Sequence, residues 1–236
     1  MKSYGQFCPV AQALEVVGDR WTLLIIRELL DGSRRFGEIL NGVRRIPRSL
    51  LATRLEQLER SGMLRRKTSP RGSEYEPTEA ARALEQIVHG LGSWSRRWAH
   101  REIRDDELDP TLLLWDMQRR LDERATPDAL VVVRFDFLDH KRGVLRYWLK
   151  IDHGRGEVCT KNPGLEETLV VETTRRVMVE IWMGHRDFAA AIRGGEVKVV
   201  GPTRLARALP KWFRLNTFVE MERVSGARPG SSRAAR

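Results

Sequence analysis

The sequence predicts two domains of different structural class, a mostly α-helical first domain and an α+β second domain. Apolar residues recur at helical spacing between residues 9 and 98, whereas strand-like alternation dominates from residue 131 onward. Between these regions, the acidic segment 104–110 ends in Pro110 and interrupts the helical pattern. The two halves also differ in charge, since residues 1–104 carry a net charge of +7 and residues 105–222 a net charge of −1.

Length and composition limit the class of protein. A chain of 236 residues with 41% hydrophobic content is long enough for two packed domains. Its apolar runs are too short for a membrane span, its first residues lack the apolar core of a signal peptide, and two cysteines cannot form a disulfide framework. We therefore expect a cytoplasmic protein with domains at residues 1–104 and 110–222, followed by a disordered basic tail at 223–236.

The charge distribution favours a polyanionic partner for the first domain. The formal net charge of the chain is +10, and the basic excess is concentrated before residue 105 and in the last fourteen residues. A basic domain joined to a neutral one is typical of a module that meets a polyanion and a second module that does not. One alternative is a lipid-binding or interaction protein whose basic half meets a membrane or RNA. A genome-wide preference for arginine would give a similar excess, so charge alone does not decide.

The helical pattern of the first domain contains a helix-turn-helix unit. Predicted helices begin at Pro9, after an N-cap at Asp19, and at Phe36. A tight connection then leads into a longer helix over Arg48–Arg60 with a polar, arginine-bearing outer face. The inner face of that helix is a leucine stripe formed by Leu51, Leu55 and Leu58.

A β-hairpin and a long helix follow this unit. Residues 63–67 and 73–76 predict two short strands joined by a turn, and the hairpin is rich in arginine and lysine. Thr78 is the predicted cap of a long helix that carries Trp94 and Trp98 on one face. This helix has too many apolar residues to lie free in solvent, which predicts homodimer packing or, alternatively, docking onto the second domain.

Ordered motifs across residues 7–100 resemble the HxlR-type winged-helix regulators, relatives of the MarR group. The motifs are Cys8-Pro9-Val10, Gly18-Asp19-Arg20-Trp21-Thr22, Arg35-Phe36-Gly37-Glu38-Ile39, the leucine pattern from Leu51 to Gly62, and Tyr75-x2-Thr78-x2-Ala81. The resemblance implies a homodimeric transcription factor that binds double-stranded DNA. It also implies that the Arg48–Arg60 helix enters the major groove while the hairpin follows the backbone.

The side chains predicted to contact DNA divide into two groups. Arg48, Ser49 and Thr53 are expected in the groove, because arginine can bond a guanine edge and short polar groups can read other bases. Phosphate contacts are expected from Arg45, Arg66, Lys67 and Arg71. Arg54 has two interpretations, a DNA contact or a salt bridge on its own helix face.

Cys8 also has two interpretations. In some relatives of the resembled family an equivalent N-terminal cysteine senses oxidants or electrophiles, and a helix N-terminus lowers the pKa of a thiol. The alternative is a small buried residue that ties the N-terminal arm to a dimer interface.

The second domain alternates strand patterns with helices. Residues 131–137 and 145–151 alternate apolar and polar side chains, and short turns between successive strands predict an antiparallel meander covered on one face by helices. Residues 110–222 resemble the sterol carrier protein-like fold, most specifically at Arg193-Gly194-Gly195-x-Val197-x-Val199-x-Gly201. That resemblance implies a tunnel for an apolar molecule, which would act as an effector.

Large or flexible apolar side chains are the expected lining of that tunnel. They are Trp115, Met117, Trp148, Met178, Trp182, Met183, Trp212 and Phe213. The alternative is that the same residues only fill a small core.

The sequence gives no support to an enzymatic function. The five histidines show no metal-ligand spacing, and neither a phosphate-binding glycine loop nor a nucleophile elbow is present. We therefore expect no catalytic residues, no metal and no cofactor, and no membrane partner.

Overall fold

The computed structural model describes residues 3–70, 72–99, 102–215 and 219. Contacts divide the chain into two compact units, Met1–Ala99 and His100–Arg236, which are described separately below. Among the described residues, no helix is both long enough and apolar enough to cross a bilayer. The tail predicted to be disordered, 223–236, lies outside the described residues.

The first unit begins with four helices and then a hairpin. The helices are α1 (Pro9–Val17), α2 (Thr22–Leu30), α3 (Phe36–Gly42) and α4 (Arg48–Arg60). Strands β1 (Leu64–Ser69) and β2 (Gly72–Pro77) pair antiparallel, so the predicted hairpin is confirmed. The leucine stripe of α4 is fully buried, as its spacing predicts.

Two predicted helix starts differ from the structure. Asp19 does not cap α2, because Trp21 adopts a left-handed conformation (φ 81°) at the cap position and delays the first helical turn. The predicted long helix is divided at Leu84 into α5 (Glu79–Ala83) and α6 (Glu85–Trp98). The hydroxyl of Thr78 donates to the carbonyl of Gly62 at 2.7 Å, which ties the start of α5 to the end of the α4–β1 connection.

Within residues 102–215, the second unit contains four α-helices and a five-stranded sheet. Its elements are α7 (Pro110–Arg119), β3 (Val131–Phe137), β4 (Leu145–Asp152), β5 (Arg155–Cys159), β6 (Leu169–Thr173), α8 (Arg175–Trp182), α9 (Phe188–Arg193), β7 (Lys198–Val200) and α10 (Thr203–Ala208). A 3₁₀ turn over Leu209–Lys211 follows α10 directly. Thr174 and Asp187 cap α8 and α9 by accepting from backbone N–H groups, as predicted for Asp187.

The sheet is mixed, which corrects the predicted antiparallel meander. Its strand order is β5-β4-β3-β6-β7, and β6 runs parallel to β3. The segment 160–168 returns the chain to the opposite edge of β3 instead of making a tight turn. Glu167, near its end, accepts from Arg134 Nη1 at 2.5 Å and from Trp148 Nε1 at 2.9 Å, which fixes this connection to the sheet.

The core of the second unit lies between the sheet and the helices. Val133, Phe135 and Leu149 project from the helix-covered face of the sheet and are completely buried. The opposite face carries charged pairs, including Arg134 with Asp136 and Lys150 with Glu157. Side-chain alternation along each strand therefore separates one apolar face from one charged face.

Candidate nucleic-acid interface

Helix α3 positions the N-terminus of α4. The Glu38 carboxylate accepts hydrogen bonds from the backbone N–H groups of Arg34 and Arg35 at 2.7 and 3.0 Å. This acidic side chain therefore satisfies backbone donors at the N-terminus of α3. At the start of α4, the guanidinium of Arg48 lies 5.2 Å from the centre of the Phe36 ring. This cation–π contact holds Arg48 beside the turn without removing it from solvent.

The first turns of α4 expose a polar surface. Arg48, Ser49 and Thr53 are all exposed, as is Arg45 in the preceding turn. The Thr53 hydroxyl donates to the carbonyl of Ser49 at 3.1 Å, so its methyl group is oriented by the helix. An exposed helix N-terminus with arginine, serine and threonine suits the reading of base edges in a major groove.

The hairpin carries two of the predicted phosphate contacts, and they are not equivalent. Arg66 is exposed, and its Nε donates to Ser73 at 3.0 Å, which steadies the side chain across the hairpin. Lys67 is exposed but paired with Glu76 at 2.8 Å, and this bond lowers the pKa of the Glu76 carboxyl. Arg66 is therefore better placed than Lys67 to neutralise a phosphate. Arg71 lies outside the described residues.

Arg54 is placed differently from the other predicted DNA contacts. Its side chain is only 16% exposed and pairs with Asp19, in the turn between α1 and α2. Its Nη1 also donates to Gln57 at 2.6 Å. The salt bridge thus joins α4 to the turn between α1 and α2 and does not lie along α4. Sequence periodicity indicated that Arg54 borders the buried leucine stripe, but no pattern near Arg54 indicated that it pairs with the distant Asp19.

Helix α6 exposes an apolar stripe that nothing in the described first unit covers. The stripe consists of Ile87, Leu91, Trp94 and Trp98, each of which is exposed, Trp98 by 68%. Their spacing of four, three and four residues places them on one side of the helix. The other side packs inward through Val88. Exposed aromatic residues in such a stripe are typical of a protein–protein interface.

Cys8 lies at the N-terminus of α1 and is half-buried. The backbone N–H groups of Ala11 and Val10 at this helix start lower the pKa of the Cys8 thiol. A lower pKa increases the fraction of the reactive thiolate. The second cysteine, Cys159, has the opposite shift, because burial and the neighbouring Glu157 raise its pKa.

The predicted effector-contacting side chains do not all come together. Five of them share the core of the second unit: Met117, Met178, Trp182, Trp212 and Phe213. Trp115 and Met183 are half-buried and lie outside that cluster. Trp148 projects from the opposite, charged face of the sheet, because its neighbours Tyr147 and Leu149 face the core.

Comparison with known proteins places the first unit among helix-turn-helix proteins. A family described as HxlR-like helix-turn-helix matches residues 16–103. The chain is 32% identical over 97 residues to the HTH-type transcriptional regulator YdeP of Bacillus subtilis, covering 40% of this chain and 76% of YdeP. It is 34% identical over 92 residues to the B. subtilis regulator YodB, covering 37% and 82%. Against Mb3122 of Mycobacterium bovis the identity is 41% over 95 residues, covering 39% of this chain and 60% of that regulator.

Proposed function

The chain belongs to the HxlR-like helix-turn-helix family, and on that premise we propose that it is a homodimeric transcriptional regulator whose first unit binds operator DNA. The observation that carries this proposal is the exposed N-terminal face of α4. There, among the described residues, Arg48 has an aromatic contact with Phe36 and no carboxylate partner. Ser49 and Thr53 complete the groove surface, and Arg45 and Arg66 supply phosphate contacts beside it. Arg54 is left out of this set because it ties α4 to Asp19.

Arg48→Ala is expected to weaken operator binding by about 10- to 100-fold, because a bidentate arginine–guanine contact contributes roughly 1–3 kcal/mol of discrimination. The duplex would be selected by the wild-type protein from a random-sequence pool, and affinity would be measured by fluorescence anisotropy. The matched control is Arg60→Ala, which removes the same charge from the other end of α4, where Arg60 is 80% exposed. Equal losses in both variants would contradict a groove contact at Arg48.

We further propose that the second unit binds an apolar effector that changes operator affinity. Its resemblance to the sterol carrier protein-like fold and the cluster of Met117, Met178, Trp182 and Trp212 support this proposal. Trp212 adds a polar anchor: the residue is fully buried, yet its Nε1 has no hydrogen-bond partner within the described part of the chain. A buried donor without an acceptor costs about 1–3 kcal/mol, which an oxygen on a ligand would offset. To act on DNA, the ligand must bind the two states of the dimer with different affinities.

Organic extraction and mass spectrometry of the purified full-length protein are expected to yield a stoichiometric apolar compound. Trp212→Phe is expected to weaken its retention by about fivefold, the equivalent of one hydrogen bond. Trp148→Phe is the control, because it removes an indole N–H from the opposite face of the sheet. An empty extract together with an unchanged operator affinity upon addition of long-chain fatty acids would contradict an effector site.

The lowered pKa of Cys8 favours a second candidate, regulation through oxidation or alkylation of this thiol. The two candidates differ in one variant. If the thiol is the sensor, Cys8→Ser abolishes the response of DNA binding to oxidants. If the second unit is the sensor, Cys8→Ser leaves the response of DNA binding to the extracted compound intact.

A further inference from the structure

The second unit carries one segment with a charge unlike the rest of it. Residues 197–219 contain five lysines and arginines and no aspartate or glutamate, although residues 105–222 as a whole have a net charge of −1. Three of these basic residues, Arg204, Arg207 and Lys211, fall on α10 and the 3₁₀ turn that continues it. We call them the α10 stripe.

The α10 stripe lies on the outer side of its helix. Leu205 and Leu209 pack against the core of the unit, and Trp212 is completely buried behind them. Backbone angles stay helical through Leu209 and Trp212, so spacings of three and four residues bring the three basic side chains onto one side. All three are exposed.

The stripe is not neutralised, unlike many of the basic residues of the unit. Arg134, Arg175, Arg186 and Lys198 each form an ion pair with a carboxylate of the same unit. Within the described ranges, no such pair forms at Arg204, Arg207 or Lys211. Three neighbouring positive charges therefore face solvent on a rigid element. The arrangement has no role in stabilising the fold, since like charges at these spacings repel.

We propose that the α10 stripe is a second DNA-contacting surface, which binds backbone phosphates of the duplex held by the first unit. From Arg204 to Lys211 the helix rises roughly 10 Å, and one strand of a duplex presents a phosphate about every 3.4 Å along its axis. The stripe thus matches a run of about three phosphates. Contacts of this kind add affinity without reading sequence.

The surface suits a duplex better than a membrane. An interfacial helix needs an apolar face to bury among lipids, but the apolar side of α10 is already packed inside the unit. Within residues 197–215, Val200 is the one large apolar side chain among the exposed ones, and it belongs to β7. The exposed surface of α10 therefore offers charge without an apolar anchor.

Three exposed charges alone bind DNA only weakly. The covalent link between the second unit and the DNA-binding first unit compensates for this low affinity. Once the first unit holds a duplex, the second is confined beside it at an effective concentration in the millimolar range. This inference rests on the proposed DNA binding of the first unit. It extends that function by giving the second unit a direct part in affinity, in addition to effector binding.

The test measures how the affinity of the full-length protein for a 60-bp random-sequence duplex depends on salt. The slope of log K against log salt is negative, and its magnitude is expected to decrease in the variant Arg204→Gln/Arg207→Gln/Lys211→Gln. The decrease is about 0.9 for each phosphate that the variant no longer neutralises, roughly 2 to 3 in total. The matched control, Lys141→Gln/Arg142→Gln/Lys161→Gln, removes the same charge from exposed loop positions of the same unit. It is expected to change the slope by less than half as much.

Equal changes in both variants would show only an effect of net charge and would overturn the proposal, as would an unchanged slope in the α10 variant. Loss of binding to phosphatidylserine vesicles with an unchanged DNA slope would overturn it in favour of a membrane surface. Arg48→Ala/Arg66→Ala, measured on the same duplex, separates this inference from the function on which it rests. Wild-type affinity in that variant would contradict DNA binding by the first unit, whatever the α10 variant does.

Discussion

Gly42→Ala is expected to destabilise the first unit by about 2–4 kcal/mol, whereas Gly37→Ala on the same helix is expected to stabilise it by about 0.5–1 kcal/mol. The two substitutions are chemically identical and lie five residues apart in α3. The contrast arises from what surrounds each glycine. A methyl group at Gly42 would overlap the carboxylate of Glu28, while a methyl group at Gly37 has no atom within 4 Å.

The Glu28 carboxylate cannot move aside at low cost. The residue is completely buried in α2 and forms an ion pair with Arg27 at 2.7 Å. Its other oxygen accepts from the Ser33 hydroxyl at 3.1 Å, and Arg27 also donates to the carbonyl of Gly42 at 3.0 Å. Displacing the carboxylate would break this network and leave a buried charge without its partners, which explains the size of the expected loss.

Chemical denaturation of the two variants and the wild type measures both effects directly. Because α3 precedes the turn into α4, Gly42→Ala is also expected to weaken operator binding, whereas Gly37→Ala leaves it unchanged. Gly42→Ala with wild-type stability would show that Glu28 is not locked between α2 and α3. A destabilised Gly37→Ala would indicate that the solvent-facing side of α3 has a packing partner in the dimer.

Local patterns predicted the parts of the fold that depend on neighbours in sequence. The leucine stripe of α4 and the hairpin after it follow from spacings of three to four and of two residues, so both were predictable. The conformation of Trp21 and the pairing of Arg54 with Asp19 depend on how α2 and α4 meet α1. No sequence period encodes such contacts, and for that reason the cap assigned to Asp19 was wrong.

The sheet of the second unit shows the same limit. Short connections between strands usually make hairpins, so the successive strands were interpreted as an antiparallel meander, but segment 160–168 does not make such a hairpin. Its actual course across the sheet is fixed by Glu167 with Arg134 and Trp148, partners 33 and 19 residues away. Trp148, predicted to line an effector pocket, lies on the charged face because alternation along β4 places it opposite Tyr147 and Leu149. The exposure of Arg48, Ser49 and Thr53 was easier to predict, because they occupy the first turns of one helix.

Leu91→Glu is expected to convert the proposed homodimer to a monomer and to weaken operator binding by at least about 100-fold. Leu91 lies in the middle of the exposed apolar stripe of α6, between Ile87 and Trp94. A carboxylate in a packed apolar interface loses its hydration without gaining a partner, so association becomes unfavourable. A monomer contacts one half-site at a time, whereas in a dimer the first bound recognition helix holds the second one near its own half-site. Losing this effective concentration lowers the affinity by a factor of about 100 or more.

Analytical ultracentrifugation at micromolar concentration and anisotropy on the selected operator measure the two consequences. Gln86→Glu is the matched control, because it adds the same charge to an exposed position of α6 that lies off the stripe. It is expected to remain dimeric and to bind DNA almost as the wild type does. A dimeric Leu91→Glu would remove α6 from the interface and leave Phe7 and Val10, the most exposed of the other described apolar side chains of the unit, as the next surface to alter. A monomer that retains wild-type affinity would instead contradict reading of two half-sites, because affinity would then not depend on joining two copies of α4.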